Sequence, residues 1–211
     1  MADKRQKRGC SRLHYAPVTA NTATELTFGE VKSLARSKTI AATLEQSSEG
    51  VWADNKRQYN VRSGITNTRT FDVFPIAEET LAELFGDTVV KVGEKVAYGV
   101  DPDAEFPEMA YGYALHDGDE DKPCELVWAF IGVPQKRPDE TANTIDTGTG
   151  SEGQQLVVDF FKPEKAFEKT KKKNLFVKMT VTEDMTAADI DKWFKQVVTW
   201  DNIETIFGAT T

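Results

Sequence analysis

Gly64-Ile65-Thr66-Asn67-Thr68-Arg69-Thr70-Phe71-Asp72-Val73 decides the fold class. Ile65, Asn67, Arg69, Phe71 and Val73 fall on one side of an extended chain, and Thr66, Thr68, Thr70 and Asp72 on the other. A period of two is that of a strand, so the two sets of side chains meet different surroundings. The threonine face is short, polar and uncharged until Asp72, which suits water or a narrow wet lumen, while Phe71 and Val73 can enter a core. Pro75 breaks the strand. Glu78, Glu79, Leu81, Ala82, Leu84 and Phe85 then make a short amphipathic helix, with its acids where the helix dipole favours them and Gly86 as the expected C-cap.

Outward from this stretch the chain reads as strands. Candidates lie near Leu13–Tyr15, Lys32–Arg36, Thr39–Leu44, Thr88–Val92, Lys95–Val100, Met109–His116, Cys124–Val133, Leu156–Phe161 and Leu175–Val181, which makes the protein mainly β. Met109–His116 and Cys124–Val133 flank a polar turn and form the clearest hairpin, with Cys124, Leu126, Trp128 and Phe130 on one inward face. Near the end, Thr186 and Asp189 fit a capping box. Ile190, Trp193, Phe194, Val197 and Val198 follow at helical spacing and predict a helix docked on a sheet.

The 211 residues suit a single β-rich domain over 13–200, preceded by a basic arm at 1–12 expected to be flexible and followed by a tail at 201–211. Residues 45–63 and 134–155 are expected to be long loops, which in a self-assembling protein are natural arms. No apolar run is long enough to span a membrane and no secretory leader is evident, so a soluble product made in a cytoplasm is expected. Cys10 and Cys124 read as free thiols. The net charge of −8 is uneven: residues 1–12 and 162–173 each carry +4, leaving −16 for the remainder. Such a body repels phosphate, the opposite of a general DNA-binding protein.

Several local patterns resemble chemical sites and fail on context. Gly148-Thr149-Gly150-Ser151-Glu152-Gly153 has dinucleotide spacing, but polar loop precedes it and a strand follows. Asp117-Gly118-Asp119-Glu120-Asp121 starts like a calcium loop, yet Lys122 stands where Gly is required and Trp128 where Glu is. His14 and His116 lack ligand spacing with each other or with the cysteines, and no serine sits in a nucleophile setting. No catalysis, cofactor or metal is therefore expected. The lysines of 169–173 suit a solvated edge or an inter-subunit ion pair better than nucleic acid, because no aromatic is interleaved. Trp52 and Tyr59, among Asp54, Lys56, Arg57 and Arg62, have interface-anchor chemistry, although Trp52 can equally fold onto its own sheet.

A family resemblance runs along the same chain. Leu13-His14-Tyr15-Ala16-Pro17-Val18-Thr19, Phe28-Gly29-Glu30-Val31-Lys32-Ser33-Leu34, Trp52-Ala53-Asp54-Asn55 and Leu81-Ala82-Glu83-Leu84-Phe85-Gly86 follow one another as in the major tail proteins of long-tailed, non-contractile bacteriophages. Ala110-Tyr111-Gly112-Tyr113-Ala114-Leu115, Glu125-Leu126-Val127-Trp128-Ala129-Phe130 and Asp189-Ile190-Asp191-Lys192-Trp193-Phe194 continue it, over roughly residues 13–200. The order of the motifs, not any one of them, makes the chain similar to that family.

The resemblance implies a β-sandwich or barrel-like core with a flanking helix, assembled into sixfold rings that stack as a hollow conduit for the genome. It also implies a loop or hairpin reaching a neighbouring subunit. On this view Thr66, Thr68, Thr70 and Asp72 line the lumen, and Trp52, Asp54, Arg57, Tyr59 and Arg62 form the arm. The partners implied are further copies of the chain, the tape measure and tail tip or terminator proteins, and passing double-stranded DNA without specific binding. Contractile-tail tubes share the architecture. The alternative is a monomeric β-sandwich binding or virion decoration module using Tyr111, Tyr113 and Trp128 on a concave aromatic patch.

Overall fold

Every strand pairing among the described residues is antiparallel. The computed structural model describes residues 7–45, 48–53, 56–62, 66–118, 122–139 and 153–208. In chain order these form β1 (Lys7–Asn21), β2 (Leu26–Phe28), β3 (Lys32–Ser33), β4 (Ser37–Glu45), β5 (Ser48–Ala53), β6 (Lys56–Arg62), β7 (Thr66–Val73) and α1 (Glu78–Phe85). Then come β8 (Thr88–Val92), β9 (Lys95–Gly99), β10 (Met109–Asp117), β11 (Glu125–Pro134), β12 (Gln154–Phe161), β13 (Phe176–Thr180), α2 (Ala187–Trp193) and α3 (Ile203–Phe207). With 46% strand and 12% helix the protein is mainly β, as the alternation at β7 predicts.

The main sheet runs β2-β1-β10-β11-β12-β7-β4, with β3 also on β1 and β13 also on β11. Strand β11 is the pivot. Its residues 125–129 pair with β13 and β10, while Ile131–Pro134 pair with β12. The sheet turns over at that switch, so strands far apart in its order face each other. Phe71 of β7 stacks on Tyr111 of β10 with ring centroids 5.6 Å apart, and Phe160 of β12 meets Tyr111 edge-on at 5.7 Å.

Two cores follow from this arrangement. One lies between the folded halves of the sheet and holds Tyr15, Phe71, Val73, Met109, Tyr111, Tyr113, Val127, Leu156 and Phe160, closed at one end by Leu81, Leu84 and Phe85 of α1. The other lies on the opposite face, where Ala110, Ala114, Leu126, Trp128 and Phe130 meet Phe167 and the C-terminal segment. Strands β10 and β11 are thus buried on both sides and read as almost unbroken apolar runs rather than alternating ones. Gly112 sits opposite Trp128, where an added Cβ would lie 2.7 Å from the indole. The backbone there must carry no side chain for the ring to lie flat on the sheet. At the end of α1, Gly86 takes a left-handed φ of 69° and its N–H bonds Ala82, the termination expected from its position.

Four expectations need correction. Residues 7–12 are not a flexible arm: they belong to β1 and pair with β10, Lys7 opposite Asp117 and Cys10 opposite Leu115. Composition suggested disorder, but β10 offers a free hydrogen-bonding edge that composition cannot register. The stretch 45–63 is no irregular loop, since β5 and β6 form an antiparallel hairpin. Of 134–155, residues 140–152 lie outside those described; Pro134 ends β11 and Gln154 opens β12. The last helix has its capping box, with Asp189 N–H donating to Thr186 Oγ1 at 3.3 Å, but stops at Trp193. Val197 and Val198 are buried on irregular chain, whose backbone is satisfied by Asn202: its side chain accepts from Thr199 N–H at 2.7 Å and donates to the Val197 carbonyl at 3.0 Å. Side-chain capping by Asn202 replaces the last helical turns, and α3 follows within what reads as a tail.

Candidate functional site

The face of β7 turned away from the core carries an ordered polar surface. Alternation sends Asn67, Arg69, Phe71 and Val73 inward, each no more than 2% exposed, and leaves Thr68, Thr70 and Asp72 half-buried on the outside. Register then sets their neighbours. Thr68 lies between Thr43 of β4 and Asp159 of β12, Thr70 between Ala41 and Val157, and Asp72 between Thr39 and Gln155. The result is a wall three strands wide built from short side chains.

Its two acids are tied down. Asp72 accepts from Thr39 Oγ1 and, at 2.9 Å, from Gln155 Nε2. Those hydrogen bonds, Thr39 first, hold its carboxyl below the usual carboxylate range. Asp159 accepts from Thr68 Oγ1 at 2.5 Å and from Gln135 Nε2 at 3.0 Å. A fixed carboxylate whose lone pairs are already engaged contributes negative potential without reaching out for a ligand. Thr66 opens β7 opposite Glu45. Chemically the wall can repel phosphate and present little that sticks.

Beyond the wall the sheet ends at β4, and no strand hydrogen-bonds its far side among the described residues. Lys38 and Glu45 bracket the uncharged run Thr39-Ile40-Ala41-Ala42-Thr43-Leu44 on that edge, and the pairing of β4 with β7 shifts register between Ser37 and Thr39. Such devices guard an edge at its ends and leave the uncharged middle of β4 open to a partner strand.

No protein-family model matches the chain, and no curated protein matches it either. Among solved structures, a chain of the anti-feeding prophage cap, the AFP tube terminating cap, aligns with 86% of this chain and 95% of its own, at 6% identity and a TM-score of 0.46.

The other sequence-derived candidates fall in different places. Trp52, Arg57, Tyr59 and Arg62 are all in the β5–β6 hairpin, where Trp52 pairs with Arg57, Val51 with Tyr59 and Ser48 with Arg62; Asp54 lies outside the described residues. Ile190, Trp193, Phe194, Val197 and Val198 are all buried against the sheet. Tyr111, Tyr113 and Trp128 are buried too, at most 3% exposed, so they form no concave aromatic patch and the binding-module alternative loses its surface. Both strands that carry them are covered on each side, a consequence of the sheet's turn at β11 that local alternation does not reveal. Three lysines of the basic segment have partners within the chain: Lys165 with Asp201, Lys169 with Glu204 and Lys173 with Glu164. Among the described residues no cluster of His, Cys, Asp and Glu could hold a metal ion, and no helix is long and apolar enough to cross a membrane.

Arg69 is the feature that the sequence reading missed. Its guanidinium is buried behind the wall, donates from Nη1 to Tyr113 Oη at 2.6 Å and packs against the rings of Phe160, Tyr113 and Phe176 at 5.1, 5.2 and 5.5 Å. Burial lowers its pKa. The signal was available, since Arg69 occupies the same parity as Phe71 and Val73.

Proposed function

We propose that this chain is the major tail tube subunit of a long-tailed, non-contractile bacteriophage or related prophage. Copies join head to tail into rings, six to a ring, and the rings stack into the hollow conduit for genome delivery. The role is structural and not enzymatic. Assembly takes place in the cytoplasm of the host bacterium, and the product is part of the virion tail, in contact with tape measure and tip or terminator proteins.

The observation that carries this reading is the wall of β4, β7 and β12, bordered by a β4 edge that pairs with no further strand among the described residues. In a ring, edge strands of successive copies close into one barrel with no edge left open. The wall then becomes its lining: Thr68, Thr70 and Asp72 face the channel, and the tethered carboxylates keep DNA from adhering while it slides. The motif order along residues 13–200 supports the same reading. The β5–β6 hairpin, with Trp52, Arg57, Tyr59 and Arg62, is the arm that reaches a neighbour.

Negative-stain microscopy of the purified protein at high concentration tests the proposal. Hollow rods or rings are expected, and featureless monomers under all conditions would overturn it. Replacing Asp72 and Asp159 with Lys in an assembled tail should leave tubes intact and impair genome passage. Normal ejection through such a positively lined tube would remove the lumen assignment.

A further inference from the structure

The two wall acids are held by one cross-strand pattern used twice. Thr39 of β4, Asp72 of β7 and Gln155 of β12 lie side by side. One strand further on, Thr68 of β7, Asp159 of β12 and Gln135 repeat that order. Gln135 follows the end of β11 and is set beside β12 by its own N–H, which donates to the Val157 carbonyl at 2.8 Å. Thr68 and Asp72 are four residues apart on β7, as Gln155 and Asp159 are on β12, so strand alternation brings all of them to one face.

Both oxygens of each carboxylate are engaged. Thr39 donates to Asp72 Oδ2, and Gln155 Nε2 to Oδ1 at 2.9 Å. Thr68 donates to Asp159 Oδ1 at 2.5 Å, while Gln135 Nε2 lies 3.0 Å from Oδ1 and Oδ2 alike. The two glutamines stand exposed beside half-buried acids, where anything approaching from solvent meets them. A wall that repels phosphate by negative charge carries a liability of its own. Carboxylates and phosphates bind the same divalent cations, and a cation shared between them joins what the charge keeps apart.

We propose that Gln135 and Gln155 are positioning residues that keep the wall carboxylates closed to divalent cations, so that a passing polyanion is not bridged to the wall through its counterions. The identity of the polyanion, DNA, rests on the tube-subunit reading; the closure rests on the hydrogen bonds. An incoming cation must displace a charge-assisted hydrogen bond, which weakens its binding roughly tenfold.

Carbodiimide labelling of the full chain, read residue by residue through peptide mass spectrometry, tests the closure whether or not the protein assembles. Gln155→Met should speed labelling of Asp72 roughly tenfold and leave Asp159 as it was, and Gln135→Met should do the reverse. Methionine keeps the length of glutamine without its amide, and both positions are exposed, so thermal melting should match wild type. Millimolar Mg2+ should then slow labelling of the released acid in each variant and change neither acid in wild type, with the exposed Glu94 as the reference carboxyl. Unchanged labelling in the variants, wild-type acids already shielded by Mg2+, or released acids that Mg2+ does not shield would each overturn the closure. In an assembled tail, Gln135→Met/Gln155→Met should slow genome passage in Mg2+ and restore it on chelation; passage indifferent to Mg2+ would overturn the role in transit. Wild type that forms no rings or rods would defeat the tube reading, with the labelling still diagnostic of the closure.

Discussion

The indole Nε1 of Trp128 donates to the backbone carbonyl of Trp193 at 2.9 Å, and both rings are fully buried. This bond fastens α2 to the sheet at the point where the helix stops. Trp193's own Nε1, by contrast, is buried without a partner among the described residues. Trp128→Phe therefore strands a buried carbonyl and should destabilise by about 1–3 kcal/mol beyond the loss of ring volume. Trp193→Phe removes a donor that bonds nothing and should cost less. Urea unfolding of both variants checks the order, and a reversed order would mean that the hydrogen bond is not what holds the helix.

Gly112→Ala places a methyl 2.7 Å from the Trp128 indole. Either β10 shifts or the ring leaves its seat on the sheet, and overpacking of this kind costs about 1–3 kcal/mol. The expected readout is a lower urea midpoint with altered near-ultraviolet circular dichroism from Trp128.

Arg69 and Tyr113 should respond in opposite ways. Tyr113→Phe deletes the acceptor of a buried guanidinium and should destabilise by about 1–3 kcal/mol. Arg69→Met removes the buried cation itself and leaves an apolar side chain among Phe160, Phe176 and Tyr113, so stability should be unchanged or higher. Thermal melts of the two single variants and the double variant separate these effects; a strong loss from Arg69→Met would show that the cation is needed in place.

Asp189 gives the C-terminal helix an acid sensitivity. Its hydrogen bonds with Thr186, followed by Lys192, lower its pKa to about 2 from 3.8. A carboxyl depressed in the folded state stabilises fully above its unfolded pKa and loses that contribution as pH falls through the folded one. Melting temperature should thus drop between pH 3.8 and 2, and Asp189→Asn should flatten the decline in that window. An identical acid profile in the variant would mean that the capping box contributes nothing at low pH.

Local chemistry was legible from residue order wherever one element decides its own conformation. Thr88–Val92 has the predicted bounds, β7 alternates as its sequence does, Gly86 ends α1, and Thr186 with Asp189 starts α2. The wall residues Thr68, Thr70 and Asp72 could be named because a strand has only two faces. What failed depended on partners distant in sequence. Residues 7–12 become strand only because β10 is there to pair with them, and the helical spacing of Val197 and Val198 yields to capping by Asn202.

The sequence by itself determined a mainly β chain, the polar face of one strand, the end of α1 at Gly86 and the capping box that starts α2, because backbone sterics and side-chain period act over a few residues. Only the tertiary structure decided that β11 turns the sheet into two cores, that Tyr111, Tyr113 and Trp128 vanish inside it, and that Thr39, Gln155, Thr68 and Gln135 engage the two wall acids. Those outcomes depend on which strands become neighbours, and long-range hydrogen-bond register and shared burial settle that together.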